Sequence, residues 1–224
     1  MTSPEPGDRA KRRVFLVDDH PLVREWLTNL INQQDDLEVC GEADDAPQAR
    51  QAIEAAQPDA AIVDITLATG SGIELVKDLK RICPAVAVVV LSMHDESLYA
   101  ERALRAGARG YVMKRETTKK IIAALRQVLL GKIYVSDEFK ASMAEKLFTG
   151  GASGSPVEQL SDRELEVFTM LGQGVETRRI AESLGIGMKT VQVYCARIKE
   201  KLNLANATEL LREAVRWWES ESKG

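Results

Sequence analysis

Asp64 closes a short apolar run, Ala60-Ala61-Ile62-Val63, that continues as Ile65-Thr66-Leu67 and meets Gly70 and Gly72. A stretch of Val and Ile bounded by Asp and Gly reads as a buried strand. In open parallel sheets, chemistry sits just outside the carboxyl ends of the strands. Asp18 and Asp19 close a second run of this kind, Arg13-Val14-Phe15-Leu16-Val17. If the two strands are neighbours, three carboxylates crowd one spot and raise one another's pKa unless a cation neutralises them. Oxygen donors with room for water suit Mg2+. A carboxylate beside Mg2+ can attack a phosphoryl group and hold it as an acyl phosphate. Such a step needs a hydroxyl and a positive charge near the added oxygens, and Ser92 and Lys114 close two further apolar runs.

The elements that must position these groups follow from periodicity. After the first strand, Pro21 opens a helix with Leu22, Val23, Trp26, Leu27, Leu30 and Ile31 at helical spacing. The pattern then predicts a strand over 37–41, a helix over 46–56 ended by Pro58, the strand 60–63 and a helix over 71–82. An almost wholly apolar strand over 86–91 belongs at a sheet centre. A helix over 96–106 stops at Gly107, a short strand spans 110–113, and a helix over 117–130 ends at Gly131. This alternation implies an α/β doubly wound, five-stranded parallel sheet with helices on both faces. Beyond Gly131 the pattern breaks. Ile133-Tyr134-Val135 is apolar, residues 136–148 fit one helix, and the Gly- and Ser-rich stretch from Gly150 to Pro156 reads as a linker. Only helical signals follow: 161–171, opened by the capping box Ser161-Asp162-Arg163-Glu164, then 176–184, 187–202 and 205–218. The expected organisation is a disordered tail (1–11), an α/β domain (12–131), a linker with one helix (132–156) and a small all-α domain (157–220).

The chain has 224 residues, 45% of them hydrophobic, and a formal net charge of −4. That is enough for a real core and argues against a whole-molecule polyanion binder, so any nucleic-acid site must be a local patch. Cys40, Cys83 and Cys195 are odd in number and widely spaced, which makes neither a metal motif nor a disulfide framework and suits a reducing cytosol. The polar stretch before Arg13 lacks the apolar core of a signal peptide, and no run reaches membrane-spanning length. A cytoplasmic protein is expected.

The order Asp18-Asp19, Asp64, Ser92, Tyr111, Lys114, with Gly72 behind Asp64, resembles the receiver domain of bacterial two-component response regulators across residues 12–130. The resemblance implies a flavodoxin-like fold in which Asp64 accepts a phosphoryl group from a partner histidine kinase. It implies that Asp19, Asp64 and the Thr66 backbone carbonyl bind Mg2+, with Asp18 acting through water. Lys114 and Ser92 would contact the phosphoryl oxygens, and movement of Ser92 would let Tyr111 turn inward, a two-state element biased by one added group. Ala68 and Arg115 stand where the wider family often has Pro, and neither departure removes a reacting group. Thr66 and His94, two residues after Asp64 and Ser92, hold positions that in the family tune loss of the phosphoryl group. Taken singly the residues have blander readings: Asp18 and Asp19 as caps before Pro21, Lys114 as a solvated strand end, Tyr111 as core, His20 and His94 as surface polar groups.

In the second domain, short helices broken at Gly185 form a helix-turn-helix, the second helix lying in the major groove. Residues 156–224 hold ten Lys or Arg and eleven Asp or Glu, yet 187–202 hold Lys189, Arg197, Lys199 and Lys201 against Glu200 alone. A patch this modest suggests weak monomer binding and a need for two copies. The run from Leu160 to Val167, then Gly174, Ile180-Ala181, Leu184, Lys189-Thr190-Val191, Ile198, Lys201-Leu202 and Thr208-Glu209-Leu210 resemble the LuxR-type helix-turn-helix, and the two domains in this order look like a NarL/FixJ-family response regulator. Lys189, Thr190, Gln192, Val193, Arg197 and Lys201 are then the expected DNA-facing residues. Gln192 stands where the family often has Lys, and Gln pairs bidentately with adenine, so a different base preference is expected. The last helix, with Leu210, Leu211, Val215 and Trp218, resembles the family's dimerisation helix, although its Leu residues fit a core equally well.

The expected function is a two-component response regulator and DNA-binding transcription factor. Phosphorylation on Asp64 by a histidine kinase, with Mg2+, would control homodimerisation and binding to double-stranded promoter DNA. It would not be an enzyme beyond its own dephosphorylation. One alternative is a phosphorylation-independent DNA-binding regulator whose receiver serves as a dimerisation module. Another is a metal-dependent phosphatase with Asp64 as nucleophile, but such enzymes usually carry a second Asp two residues on, where Thr66 stands here.

Overall fold

The computed structural model describes residues 10–149 and 156–221. Residues 1–9 of the expected tail and 150–155 of the expected linker lie outside the described residues. The chain falls into two compact units, one of residues up to 93 with 103–134, the other of 94–102 with 135 onward.

The first unit carries strands β1 (Arg12–Val17), β2 (Leu37–Ala43), β3 (Ala60–Val63), β4 (Ala87–Ser92) and β5 (Gly110–Met113) in one parallel sheet of order β2-β1-β3-β4-β5. Helices α1 (Pro21–Asn32), α2 (Ala46–Ala56), α3 (Gly72–Ile82) and α5 (Thr118–Leu129) flank it, and α4 (Glu96–Ala106) lies between β4 and β5 in sequence. Successive side chains of a strand point to opposite faces. Val14, Leu16, Ile62, Val89 and Leu91 form one core with Leu27 and Ile31 of α1 and Ile121 and Leu125 of α5. The intervening Phe15, Val17, Ala61, Val63, Val88 and Val90 are buried as well, so both faces are covered. This is the doubly wound architecture that the alternation of apolar runs predicts.

Register places the chemistry. Val17 pairs with Val63, and the Asp64 amide donates to the Val17 carbonyl at 2.8 Å, so Asp18 and Asp64 leave adjacent strands side by side. Ser92 pairs with Met113, and the Lys114 amide donates to the Ser92 carbonyl at 2.7 Å. The free edge of β5 is covered by the apolar stretch before α6 (Asp137–Thr149): Tyr134 N donates to Arg109 O and Tyr111 N to Tyr134 O, both at 2.9 Å. A paired edge cannot template aggregation.

Two local features differ from the sequence expectation. α2 is ended by Gln57, which adopts a left-handed φ of 45° and donates to Ile53 O; Pro58 only follows it. The β1–β2 register shifts between Val14 and Phe15, skipping Cys40, and beside the shift Gly41 leaves room for the Phe15 ring, 2.6 Å from where a Cβ would stand.

The second unit holds α6, a 3-10 turn (Pro156–Gln159), α7 (Asp162–Gly172), α8 (Thr177–Ser183), α9 (Met188–Lys201) and α10 (Ala207–Glu221). Pro156 belongs to that turn and not to the linker, since Val157 beside it is buried. The expected capping box opens α7: Ser161 Oγ accepts from Glu164 N, and Glu164 returns to Ser161 N. Leu165, Phe168, Ile180, Leu184, Val191, Ile198, Leu210 and Ala214 form the interior. Gly172 permits the close approach of α7 and α10, since a Cβ there would stand 2.5 Å from Ala214 O. Among the described residues no helix is long and apolar enough to cross a membrane.

Gly72 has a comparable task behind Asp64. A Cβ on it would collide with the Asp64 carbonyl and lie 2.7 Å from Ile65 Cα, both backbone and unable to swing away. Gly72→Ala is therefore expected to lower stability by about 1–3 kcal/mol, read as a shift of the urea midpoint at unchanged slope.

Candidate functional site

The pocket lies at the carboxyl ends of β1, β3, β4 and β5. Asp18, Asp64, Ser92 and Tyr111 are all buried, and the Lys114 side chain is 10% exposed. Lys114 Nζ sits 2.6 Å from Asp64 Oδ2 and 2.6 Å from Asp18 Oδ2, one ammonium shared by two carboxylates. Thr66 N approaches Asp64 Oδ1 at 3.3 Å. The loop after β1 is held by its own Asp18, whose Oδ1 accepts from His20 N at 2.9 Å, and by Arg24, which donates to Asp18 O at 2.6 Å. The structure thus brings Asp18, Asp19, Asp64 and Lys114 together as the sequence predicts. Thr66 lies exposed just beyond Asp64. Tyr111 lies inside the domain, on a strand beside Ser92. His94 stacks on Tyr99, with ring centroids 4.5 Å apart.

Burial dominates the electrostatics of Asp64. Desolvation pushes its carboxyl up from 3.8 to about 6, Lys114 draws it down, and Asp18 raises it again. Burial alone would depress Lys114, but Asp64 and Asp18 outweigh it and hold the ammonium above its ordinary 10.5. The two directions agree physically: one cation is retained by two anions, and the anions are still short of positive charge.

A divalent cation fits that shortfall. Oxygen or nitrogen atoms of Asp18, Asp19, His20 and Asp64 lie within 4.8 Å of one another. Asp19 Oδ1 is buried and makes no hydrogen bond, its close neighbour being the His20 ring nitrogen at 2.7 Å, so it has capacity left for a cation. The sequence reading missed two participants. His20 lies at the surface as expected, 64% exposed, but its Nδ1 also stands 2.7 Å from Asp19 Oδ1. Arg24 fastens the Asp18 loop and reaches Glu42 at 3.4 Å. The adjacency Asp18-Asp19-His20 was the available signal for the first; for Arg24, seven positions from Val17 on a helix, periodicity gave none.

The second unit presents the other candidate surface. Gly185, with φ of 64°, turns the chain between α8 and α9, and Ile186 N donates back to Ala181 O at 3.0 Å. Val191 and Ile198 anchor α9 in the core, leaving Lys189, Thr190, Gln192, Val193 and Arg197 exposed on its outer side. Lys201 is exposed too, but unlike the others it is tied back to the fold. Its Nζ is 2.6 Å from Glu164 Oε2 and 3.1 Å from Gln159 O. Burial would raise the Glu164 carboxyl, but Lys201 and Ser161 reverse the direction and hold it below its ordinary value. Lys201 therefore serves the fold, because leaving α9 would strand a buried carboxylate. On α10, Leu210 is core and Leu211 is 48% exposed, which divides the two Leu residues between the two readings left open by the sequence.

Known proteins match both units. A family model described as the response regulator receiver domain matches residues 14–126. One described as bacterial regulatory proteins, luxR family, matches residues 158–214. The oxygen regulatory protein NreC of Staphylococcus carnosus is 32% identical over 210 residues, covering 91% of this chain and 97% of the relative. The response regulator GacA of Pseudomonas viridiflava is 33% identical over 204 residues, covering 91% and 95%. Among solved structures, RcsB of Salmonella enterica serovar Typhimurium, bound to promoter rprA in the presence of the phosphomimetic BeF3-, aligns with TM-score 0.66 at 25% identity, covering 91% of this chain and 98% of that one. A LuxR-family two-component response regulator from Aurantimonas sp. SI85-9A1 aligns with TM-score 0.58 at 32% identity, covering 62% and 99%.

Two outcomes follow from the electrostatics. Because the folded Asp64 pKa is raised from 3.8 to about 6, the folded state holds its proton more tightly than the unfolded chain, and stability falls as pH rises across that window. Without divalent ions, Asp64→Asn should gain on wild type between pH 4 and neutrality by up to about 3 kcal/mol, measured by denaturation at several pH values. Lys201→Met should lower the stability of its unit by about 1–3 kcal/mol while leaving the salt slope of DNA binding unchanged. Lys189→Ala and Arg197→Ala should do the reverse.

Proposed function

The chain belongs to the NarL/FixJ family of two-component response regulators, a receiver domain followed by a LuxR-type helix-turn-helix, and on that premise we propose that a histidine kinase phosphorylates Asp64 and that the added group controls dimerisation and promoter binding. The observation that carries the proposal is the sharing of one buried ammonium by Asp18 and Asp64, 2.6 Å from each. A nucleophilic carboxylate must be ionised. The Lys114 ammonium favours that form, and burial strips Asp64 of the water that would otherwise blunt it.

One Asp64 oxygen attacks phosphorus, the bond to the donor breaks, and the donor leaves with the electron pair. Asp19, Asp64 and the Thr66 carbonyl would hold Mg2+, with Asp18 acting through water; bound Mg2+ supplies positive charge for the phosphoryl oxygens. Lys114 then exchanges an Asp64 contact for a phosphoryl oxygen, and Ser92, at the end of the neighbouring strand, donates its hydroxyl to another. Tyr111, buried on the strand beside that of Ser92, is the residue whose position the movement of Ser92 would control. The pocket is an acceptor whose only turnover is loss of its own phosphoryl group, and it is not an enzyme.

Promoter recognition is assigned to α9, where Lys189, Thr190, Gln192, Val193 and Arg197 are exposed together. RcsB, similar over 91% of this chain, was solved on promoter DNA with a phosphomimetic, which supports both halves of the reading. Ten basic against eleven acidic residues over 156–224 leave a single domain weakly attractive to phosphates, so two copies on paired half-sites are needed. The compartment is the cytoplasm, where promoter DNA and a kinase's catalytic domains meet.

Full-length protein incubated with acetyl phosphate and Mg2+ should gain one phosphoryl mass, and Asp64→Ala none. Phosphorylation should tighten promoter binding about tenfold or more as dimers form. Undiminished labelling of Asp64→Ala would remove Asp64 as acceptor, and labelling without any change in DNA affinity would favour the phosphorylation-independent module.

A further inference from the structure

We propose that α9 reads a half-site built on A·T base pairs: Gln192 pairs with an adenine, Val193 and Ala196 lie against thymine methyl groups, and Lys189 and Arg197 hold phosphates. The inference rests on the promoter reading above and names what that surface recognises. Val191 and Ile198 are fully buried and define the inner line of the helix. At about 100° per residue, Lys189, Val193 and Ala196 stand within about 40° of the opposite direction, with Gln192 to one side of that line and Arg197 to the other. All five are exposed, Val193 at 48%.

Between Lys189 and Arg197 this outer face carries no charge. Gln192, Val193 and Ala196 occupy its middle, an amide beside a short apolar strip. A strip of that kind between two cations matches the major groove, whose walls are phosphates and whose floor carries base edges and thymine methyls. The side chains of Lys189, Gln192 and Arg197 make no hydrogen bond or ion pair among the described residues. Other cations of the same unit are engaged: Arg178 pairs with Glu182 at 3.1 Å and Lys201 with Glu164 at 2.6 Å. The donors on the outer face of α9 are thus left for a partner. Glu200 continues the outer line one turn after Ala196 and is exposed. Phosphates repel a carboxylate there, so the helix leaves the groove before Glu200, and only its N-terminal turns approach the bases.

Side-chain chemistry sets the base. Guanine presents two acceptors, O6 and N7, and is met by paired donors such as those of Arg. Adenine presents N7 as acceptor and the N6 amino group as donor, which the Gln192 amide matches with its NH2 and its carbonyl oxygen. Thymine, the partner of adenine, places a methyl group in the same groove, and Val193 and Ala196 offer it only carbon. A G·C pair at the same place sets the Gln192 oxygen against guanine's acceptors and supplies no methyl. The amide contact and the apolar contacts therefore favour the same base pairs.

The test uses the full-length protein with acetyl phosphate and Mg2+, wild type and Gln192→Lys, each selecting from a pool of randomised duplexes. The replaced residue is exposed, so the helix and its core are retained. Wild type should enrich half-sites with an A·T pair at the position read by Gln192 and further A·T pairs beside it, and the variant should exchange adenine for guanine there. In the enriched duplex, 7-deazaadenine lacks the N7 acceptor. It should weaken wild type about tenfold and Gln192→Ala by less than about twofold. Uracil in place of thymine should weaken wild type about fourfold for each methyl contacted, and Val193→Ala less. Enrichment of G·C pairs by wild type, an unchanged preference in Gln192→Lys, or indifference to 7-deazaadenine and uracil overturns the base assignment while leaving promoter binding in place. Enrichment of no sequence by wild type overturns the promoter reading itself, and this inference with it.

Discussion

Asp18 and Asp64 emerge side by side from β1 and β3 and converge on the ammonium of Lys114, which emerges from β5. Everything else in the first unit serves to hold those three groups against their own electrostatics. Two buried carboxylates repel, and neither can turn away to water without unpairing the strand ends that carry it. The parallel register, the covered faces and the glycine at position 72 make those ends rigid. Burial therefore penalises the charge on Asp64, and Lys114 offsets that penalty only in part. On the proposed function, a cation would offset more of it and a phosphoryl group would change the balance again.

Much of this was legible in the sequence because it depends on strand ends. Apolar runs of Val and Ile fix where strands stop, and a polar residue at each stop can only lie along one edge of the sheet. Asp18, Asp64, Ser92 and Lys114 were located in that way without knowledge of the strand order, and the structure brings their strands together. What periodicity does not encode is the direction of a side chain leaving a loop. His20 follows Asp19 at the same polar turn, and that its exposed ring also meets the carboxylates, with its amide donating a hydrogen bond to Asp18 Oδ1, is not written in the pattern. The stop of α2 at Gln57 was hidden for a related reason. Pro58 is the louder signal, but the residue before it absorbs the left-handed turn.

The second unit illustrates the limit of charge patterning. Lys201 lies one residue from Glu200 in a locally basic segment, and composition alone places it with the DNA-facing residues. Its partner is 37 residues away in sequence, on the capping box of α7. Glu164 already spends one oxygen on the Ser161 amide and takes Lys201 on the same side, which ties the last turn of α9 to the first turn of α7. A helix that presents Lys189, Val193 and Arg197 outward must be fixed somewhere at its far end, and a charge pair with one buried partner fixes its orientation, because slipping it leaves a buried carboxylate unpaired.

A single phosphoryl group can act as a switch here only if the energies are commensurate. Moving a two-state element from almost all in one state to almost all in the other takes about 5.5 kcal/mol of differential interaction. A hydrogen bond to a charged group contributes about 1.5–3 kcal/mol, so two such bonds made in only one state supply about 3–6 kcal/mol. If Asp64 accepts a phosphoryl group as proposed, Lys114 and Ser92 would be the two donors, and bonds of that strength would be of the size required. A surplus would lock the domain in one state, and a deficit would leave the added group without consequence.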